Sequence, residues 1–224
     1  MPKSKTASPS APTRADRRRE RTHQRLLDAA RELFAEQGVG ETRIGQITER
    51  ADVGAGSFYN HFSDKDEIVE AVVSDVAKQQ RELVVEGVTD MKDPAAIVAY
   101  AHRHFVRLAL TDPTFARLMV GFDPSHRLLF ETNGPKALRD IQRGIDAGRF
   151  KVESAESALF ATGGALLGTM IGIAQGALGD GADVAHAAAV LRILGVARAD
   201  ADRMAALEMP DLPVGAPSHP AEAH

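Results

Sequence analysis

Between Thr42 and Phe62 the chain is cut into two very short helical segments by a three-residue break, an arrangement that few folds accommodate. Ile44, Ile47 and Ala51 form the apolar stripe of the first segment. Asp52-Val53-Gly54 interrupts it, and Phe58 and Phe62, at i and i+4, face inward from a second segment over Ala55 to His61. Helices this short do not persist alone, so both must be braced by neighbours. Upstream, Leu26, Leu27, Ala30, Leu33 and Phe34 share one face of a helix over 17–37 that Gly38 stops. Thr42 is placed to cap the second helix. Downstream, Ser63 and Asp66 read as an approximate capping box for a fourth helix with the face Ile68, Val69, Val72, Val73 and Val76. Two short helices joined by a tight break meet the physical need of a helix-turn-helix, whose second helix must be short and polar on its outer face to enter a DNA groove.

The rest of the chain is also helical in pattern, with no strand-like alternation and no repeat. Helices are expected over 93–110, 113–122, near Leu128, from Pro135 to about Ala147, over 153–178 and over 184–194, with Asp200 capping a last short one. This predicts an all-α fold: an N-terminal three-helix DNA-binding domain with the helix-turn-helix, followed by a C-terminal helical bundle. The expected boundaries are a disordered basic arm at 1–16, the helix-turn-helix domain at 17–75, the helical body at 76–208 and a proline-rich disordered tail at 209–224.

The stretch Thr42-Arg-Ile-Gly-Gln-Ile-Thr-Glu-Arg-Ala-Asp-Val-Gly-Ala-Gly-Ser-Phe-Tyr-Asn-His-Phe62, with Ser63-Asp-Lys-Asp-Glu-Ile68 after it and Leu27-Asp-Ala-Ala-Arg-Glu-Leu-Phe34 before it, resembles the TetR family of transcriptional regulators. The resemblance is motif-specific over about 21–75 and one of architecture beyond. It implies that Thr42, Tyr59 and Lys65 hold phosphate, that Arg43 reaches backbone or groove edges, and that Gly54, Ala55, Gly56, Ser57 and Asn60 form the surface turned to the bases; with Phe58 and Phe62 inward, His61 lies on or near the same side. Three positions depart from the family pattern. Thr48 stands where alanine is usual, and is tolerable if its hydroxyl bonds back to the helix. Asp52 replaces a glycine and must adopt a left-handed turn. Gly54 replaces a serine and is the poorer cap.

Charge is unevenly placed. Residues 1–25 hold eight basic and two acidic side chains, leaving −10 for the remainder of a chain whose net charge is −4. Arg18 and Arg19 belong to this cluster and are expected to attract the duplex, since the stretch from Leu26 to Ile68 has four basic residues against nine acidic ones.

The resemblance also implies a small-molecule pocket in the middle helices, for a partly apolar effector, with His104, Phe105, Met119, Phe122 and Met170 as candidates. A stripe of this kind is more often plain core than binding site, and His104 more often a satisfied core histidine than a ligand contact. His102 and His104 are two apart, hence on opposite sides of a helix, and are no metal pair. Gly164, Gly168, Gly172 and Gly176 recur every four residues and form a small-residue ridge suited to close helix approach. With Leu191, and with Ala187, Val190 and Leu194 beside it, they are the expected homodimer interface.

The uncharged run 157–179 is long enough for a bilayer, but its six glycines, Gln175 and acidic flanks argue against a span. The chain has no cysteine, which excludes disulfides and thiolate chemistry. It has no phosphate loop, HExxH or GxSxG, so no enzyme is expected, and no cofactor or metal. The expectation is a cytoplasmic, nucleoid-associated bacterial repressor that binds a palindromic operator as a homodimer and is released by a ligand. The alternative is a factor of the same fold with no effector.

Overall fold

In the computed structural model the described residues, 13–121 and 124–209, form ten helices and no strand. They gather into two units, one up to Val69 and one from Glu70.

The first unit is built on α1 (Arg14–Glu41), α2 (Ile44–Arg50), α3 (Ala55–Tyr59) and the start of α4 (Lys65–Gly87). Leu26, Leu27, Ala30, Leu33 and Phe34 of α1, Ile47 of α2, and Phe58 and Phe62 are all buried, so the apolar stripes read from the sequence form one core. Gly38 takes φ 85° and breaks α1 where a stop was expected. α1 begins earlier than expected. Thr13 accepts from the Asp16 N–H at 3.1 Å while Asp16 accepts from the Thr13 N–H at 2.9 Å, a reciprocal cap that draws Arg14 and Arg17 into the helix. Residues 14–16 are therefore helical; residues 1–12 of the expected arm, and the expected tail from 210, lie outside the described residues.

The three departures from the motif are each accommodated. Thr48 is buried and donates to the Gly45 carbonyl at 2.9 Å. Asp52 takes φ 50° and accepts from Arg25 at 3.0 Å. Gly54 caps α3 with extended backbone alone. Two caps differ from expectation. Arg43, not Thr42, is the N-cap of α2, and Gln46 accepts from its N–H at 2.8 Å. At α4, Asp64 accepts from the Glu67 N–H and Glu67 accepts from the Ser63 N–H, so the box is one residue offset from Ser63 and Asp66.

The second unit contains most of α4, then α5 (Pro94–Thr111), α6 (Pro113–Gly121), α7 (Pro124–Asp146), α8 (Ala155–Ala174), α9 (Ala182–Ile193) and α10 (Arg198–Ala205). Asp93 caps α5, accepting from the Ala95 N–H at 2.9 Å, and receives Arg149 as a two-pronged ion pair. The core joins α5, α7, α9 and α10 through Ala95, Ala99, Ile141, Phe150, Leu191 and Met204. Arg103 donates to Asp183 at 3.0 Å in a buried pair that ties α5 to α9. Pro135 does not open a new helix but sits inside α7. It forgoes one backbone hydrogen bond there, while burial of Leu128 before it and Ile141 after it holds the helix together. α8 is 20 residues long with mean hydropathy 1.6, and only 22% of its apolar window is buried within the chain.

Candidate nucleic-acid interface and effector cavity

The break at Asp52 turns the chain so that α3 shows one face to the core and the other to solvent. Phe58 is fully buried, whereas Gly54, Ala55, Gly56, Tyr59 and Asn60 are exposed, and Ser57 and His61 are half-buried. Tyr59, at 62% exposure, is the large apolar side chain that the described part of this unit leaves in solvent. Arg43 is also exposed. These residues form one polar, nearly uncharged tip of the kind a groove admits.

The N-terminal turns of α1 lie beside that tip. Arg19 reaches the Asn60 carbonyl at 3.5 Å, His23 lies 5.6 Å from His61 between ring centroids, and His23 stacks on Phe62 at 5.0 Å. Burial, then the neighbouring charges of His23 and Arg19, holds the His61 pKa below the usual imidazole value. Arg14, Arg17, Arg18 and Arg21 are exposed on the same segment. Arg14, expected in a disordered arm, joins Arg17, Arg18, Arg19 and Arg21 in a positively charged helix start that the fold sets next to the recognition helix.

Two expected phosphate contacts are placed differently. Thr42 is 1% exposed, and its hydroxyl donates to the Gly38 carbonyl at 2.8 Å. It locks the turn after α1 and has no face toward solvent. The Lys65 ammonium donates to the carbonyls of Val39, Gly40 and Thr42 at 3.0, 3.4 and 3.3 Å. It satisfies carbonyls that the left-handed Gly38 leaves without helical partners. Arg50 is taken by Glu32 and Glu36 of α1 at 3.0 and 2.9 Å. Two of the four cations between Leu26 and Ile68, Arg50 and Lys65, are therefore used inside the fold.

In the second unit a cavity of about 120 Å³ lies among α4, α5, α7 and α8. Its walls are chiefly apolar, from Val84, Ile97, Ala101, Phe105, Phe130, Leu159 and Leu166, with His102, Asn133, Asp140 and Arg81 among the polar groups. Phe105 lines it as expected. His104, Met119 and Met170 do not: all three are packed in the interior, and Phe122 lies outside the described residues. His104 faces α4 instead, its Nε2 2.8 Å from Gln80 Oε1. The cavity is on the other side of α5, where His102 stands. The two-residue spacing had put these histidines on opposite faces but could not say which face is hollow. Gly163 admits Phe130, because a Cβ there would lie 2.2 Å from the Phe130 ring. The Phe130 ring in turn stacks on Phe160 at 5.4 Å.

The expected dimer ridge is only partly a surface. Gly164 and Gly168 are exposed, with open space where a Cβ would stand. Gly172 is covered by Leu178 of its own chain, and Gly176 lies past the end of α8 in a left-handed turn. Leu191 is fully buried in the subunit core, as are Ala187, Val190 and Leu194, so this stripe packs within one chain. The outward face of α8 is Phe160, Gly164 and Gly168, and that of α9 is Ala185, Arg192 and Ile193.

A helix-turn-helix with an exposed recognition helix, followed by a helical unit with an apolar cavity among its helices, defines a DNA-binding transcriptional regulator. Comparison with known proteins agrees. Residues 26–72 match the model for bacterial regulatory proteins of the tetR family, and residues 93–207 match that for the tetracyclin repressor-like C-terminal domain. The chain belongs to the TetR family. The crystal structure of RolR in complex with resorcinol is similar at 35% identity and TM-score 0.76, covering 87% of this chain and 98% of that one. The regulator SrpR of Pseudomonas putida is 39% identical over 72 residues, 32% of each chain. The repressor KstR2 of Rhodococcus jostii is 35% identical over 81 residues, 34% of this chain and 40% of its own. The chain thus spans less than half the length of these two curated relatives.

Proposed function

We propose that this protein is a cytoplasmic transcriptional repressor without catalytic activity, which binds a palindromic operator as a homodimer and is released by a small, partly apolar aromatic effector. The observation that carries the reading is the cavity of about 120 Å³, walled chiefly by aromatic and aliphatic side chains and of a size for a single ring. Its likeness to RolR, whose structure holds resorcinol, supports an effector of that size.

In this reading Tyr59, Arg43, Arg18 and Arg19 hold the backbone, and Gly54, Ala55, Gly56, Ser57, Asn60 and His61 meet the base edges. Lys65 and Thr42 act by fixing the turn that carries Arg43. Dimerisation uses the exposed small-residue face of α8 with Ile193 of α9, where Gly164 and Gly168 permit close approach. Two recognition helices then meet successive grooves about 34–36 Å apart. An effector that binds better to a form with different spacing shifts the population off the operator; one that binds both forms equally shifts nothing.

Selection of bound duplexes from a random pool tests the DNA half of this, and an inverted repeat is expected. Titrating resorcinol into the operator complex tests the other half. Release at a concentration that leaves free protein folded supports the reading, and operator binding unmoved by any small aromatic leaves a regulator without an effector of this class.

A further inference from the structure

His102 lines the cavity and is tied at Nδ1 to a chain of short contacts leading out of it. Its Nδ1 is 3.0 Å from His186 Nε2 on α9. His186 Nδ1 is 2.9 Å from the Thr169 hydroxyl on α8, and that hydroxyl is 3.0 Å from the Ala165 carbonyl. A carbonyl only accepts, and a hydroxyl has one proton to give. If every contact is to be a hydrogen bond, Thr169 donates to Ala165 and accepts from His186. His186 then bears its proton on Nδ1 and accepts at Nε2, so His102 also bears its proton on Nδ1. Any other neutral assignment sets two lone pairs or two protons against each other. Both rings are neutral: burial, with His186 adding to it, takes His102 to about 3, and burial takes His186 to about 4.

The outcome is a bare lone pair on His102 Nε2, an atom that makes no hydrogen bond among the described residues. Most of the other polar atoms of the wall are engaged. Asp140 takes Lys136 at 2.6 Å and Arg143, the Asn133 amide donates to Leu129, and the Thr162 hydroxyl donates to Ala158. The Asn133 Oδ1 and Arg81 are the exceptions, and Arg81 is shared with an open basic cleft beside the cavity.

We propose that His102 Nε2 is the cavity's fixed hydrogen-bond acceptor and selects effectors that carry a hydroxyl on a small apolar ring, with His186 and Thr169 as positioning residues that hold its tautomer. The selection rests on reading the cavity as the effector site; the tautomer does not.

Long-range proton–nitrogen NMR of the full ligand-free chain tests the tautomer. Both imidazoles are expected to show protonated Nδ1 and bare Nε2. Thr169→Val, which removes the acceptor for His186, is expected to move both protons to Nε2. A wild-type Nε2–H on either ring overturns the proposal whatever binds. Calorimetry with phenol, resorcinol, anisole and benzoate tests the selection. Phenol and resorcinol are expected to bind at least tenfold tighter than anisole, with the ratio near one in His102→Phe and at least threefold smaller in Thr169→Val. Anisole binding retained in His102→Phe shows that the cavity is intact. Equal binding of phenol and anisole by the wild type overturns the selection, and binding of benzoate alone transfers the polar role to Arg81 and overturns it too. If none of the four binds while the tautomers are as stated, the aromatic reading of the cavity fails, the selection fails with it, and the acceptor state of His102 stands.

Discussion

The Lys65 ammonium donates to the Val39 carbonyl across 3.0 Å, joining the first turn of α4 to the turn that ends α1. A residue matched by its family to phosphate binding is thereby a structural tie in this chain. Lys65→Ala should lower the stability of the first unit by about 1.5–3 kcal/mol, the range for a hydrogen bond to a charged group. Urea unfolding of the full chain measures it. The salt slope of DNA binding should stay within one unit of wild type; a stable variant with a flattened slope would return Lys65 to the phosphates.

The arginines at the start of α1 should behave in the opposite way. Replacing Arg14, Arg17, Arg18 and Arg19 by alanine should leave melting nearly unchanged, because all four are exposed. Every phosphate that the variant no longer neutralises should flatten the log–log salt slope by about 0.9. Operator titrations from 50 to 300 mM salt read this directly. A slope equal to wild type would make the cluster a solvated helix end.

Tyr59→Ala is expected to weaken binding to all duplexes alike. Ser57→Ala and Asn60→Ala should instead relax one position of the site, by about 1–3 kcal/mol of discrimination. Binding measured across single-base variants of the selected operator separates the two patterns.

The two halves of the expected interface should part company on mutation. Leu191→Ala opens the subunit core and should cost about 2–5 kcal/mol of stability, since Leu191 is fully buried. Gly168→Leu fills open space on α8 and should split the dimer while leaving the folded subunit intact. Sedimentation and melting together decide it: a Gly168→Leu protein still dimeric at micromolar concentration places the interface elsewhere.

Acid should destabilise the second unit before its carboxylates protonate. His102, His104 and His186 are held at about 3, 4 and 4, mainly by burial, with His186 adding to the shift of His102 and Arg107 to that of His104. The unfolded chain takes up these protons near pH 6.5, and the folded chain does so only near 4 or below. Stability is therefore fully present above 6.5 and lost as pH falls, by up to about 1.4 kcal/mol per pH unit for each histidine. Urea midpoints at pH 7, 5.5 and 4.5 show the slope, and His104→Gln should reduce it by about one part in three.

What the sequence revealed follows from how local each signal is. The helix-turn-helix was legible because Ile47, Phe58 and Phe62 bury at helical spacing within twenty residues, and Asp52 marks the turn by its place in the motif. The departure at Thr48 could be reasoned through because its hydroxyl reaches only Gly45. The cavity was not legible. His102 meets His186 across 84 positions, and Phe130 depends on Gly163 from another helix. Leu191 misled for the same reason: an apolar stripe marks a face to be covered, not what covers it. Pro135 misled because a proline that opens a helix and one tolerated inside it look alike in a single sequence.

The stack of Phe130 on Phe160 bears on how a chain like this diverges. One ring belongs to the cavity wall, and the other stands at 68% exposure on the outward face of α8. Shortening Phe130 to admit a bulkier guest removes the support beneath Phe160, and recasting Phe160 for a new surface disturbs the wall. With the cavity as effector site and the outward face of α8 as dimer face, as proposed above, guest range and pairing preference are inherited together. After a gene duplication, a copy that drifts toward a new guest would in the same step lose its fit to the parental subunit, so the two products would sort into separate homodimers rather than interfere with one another.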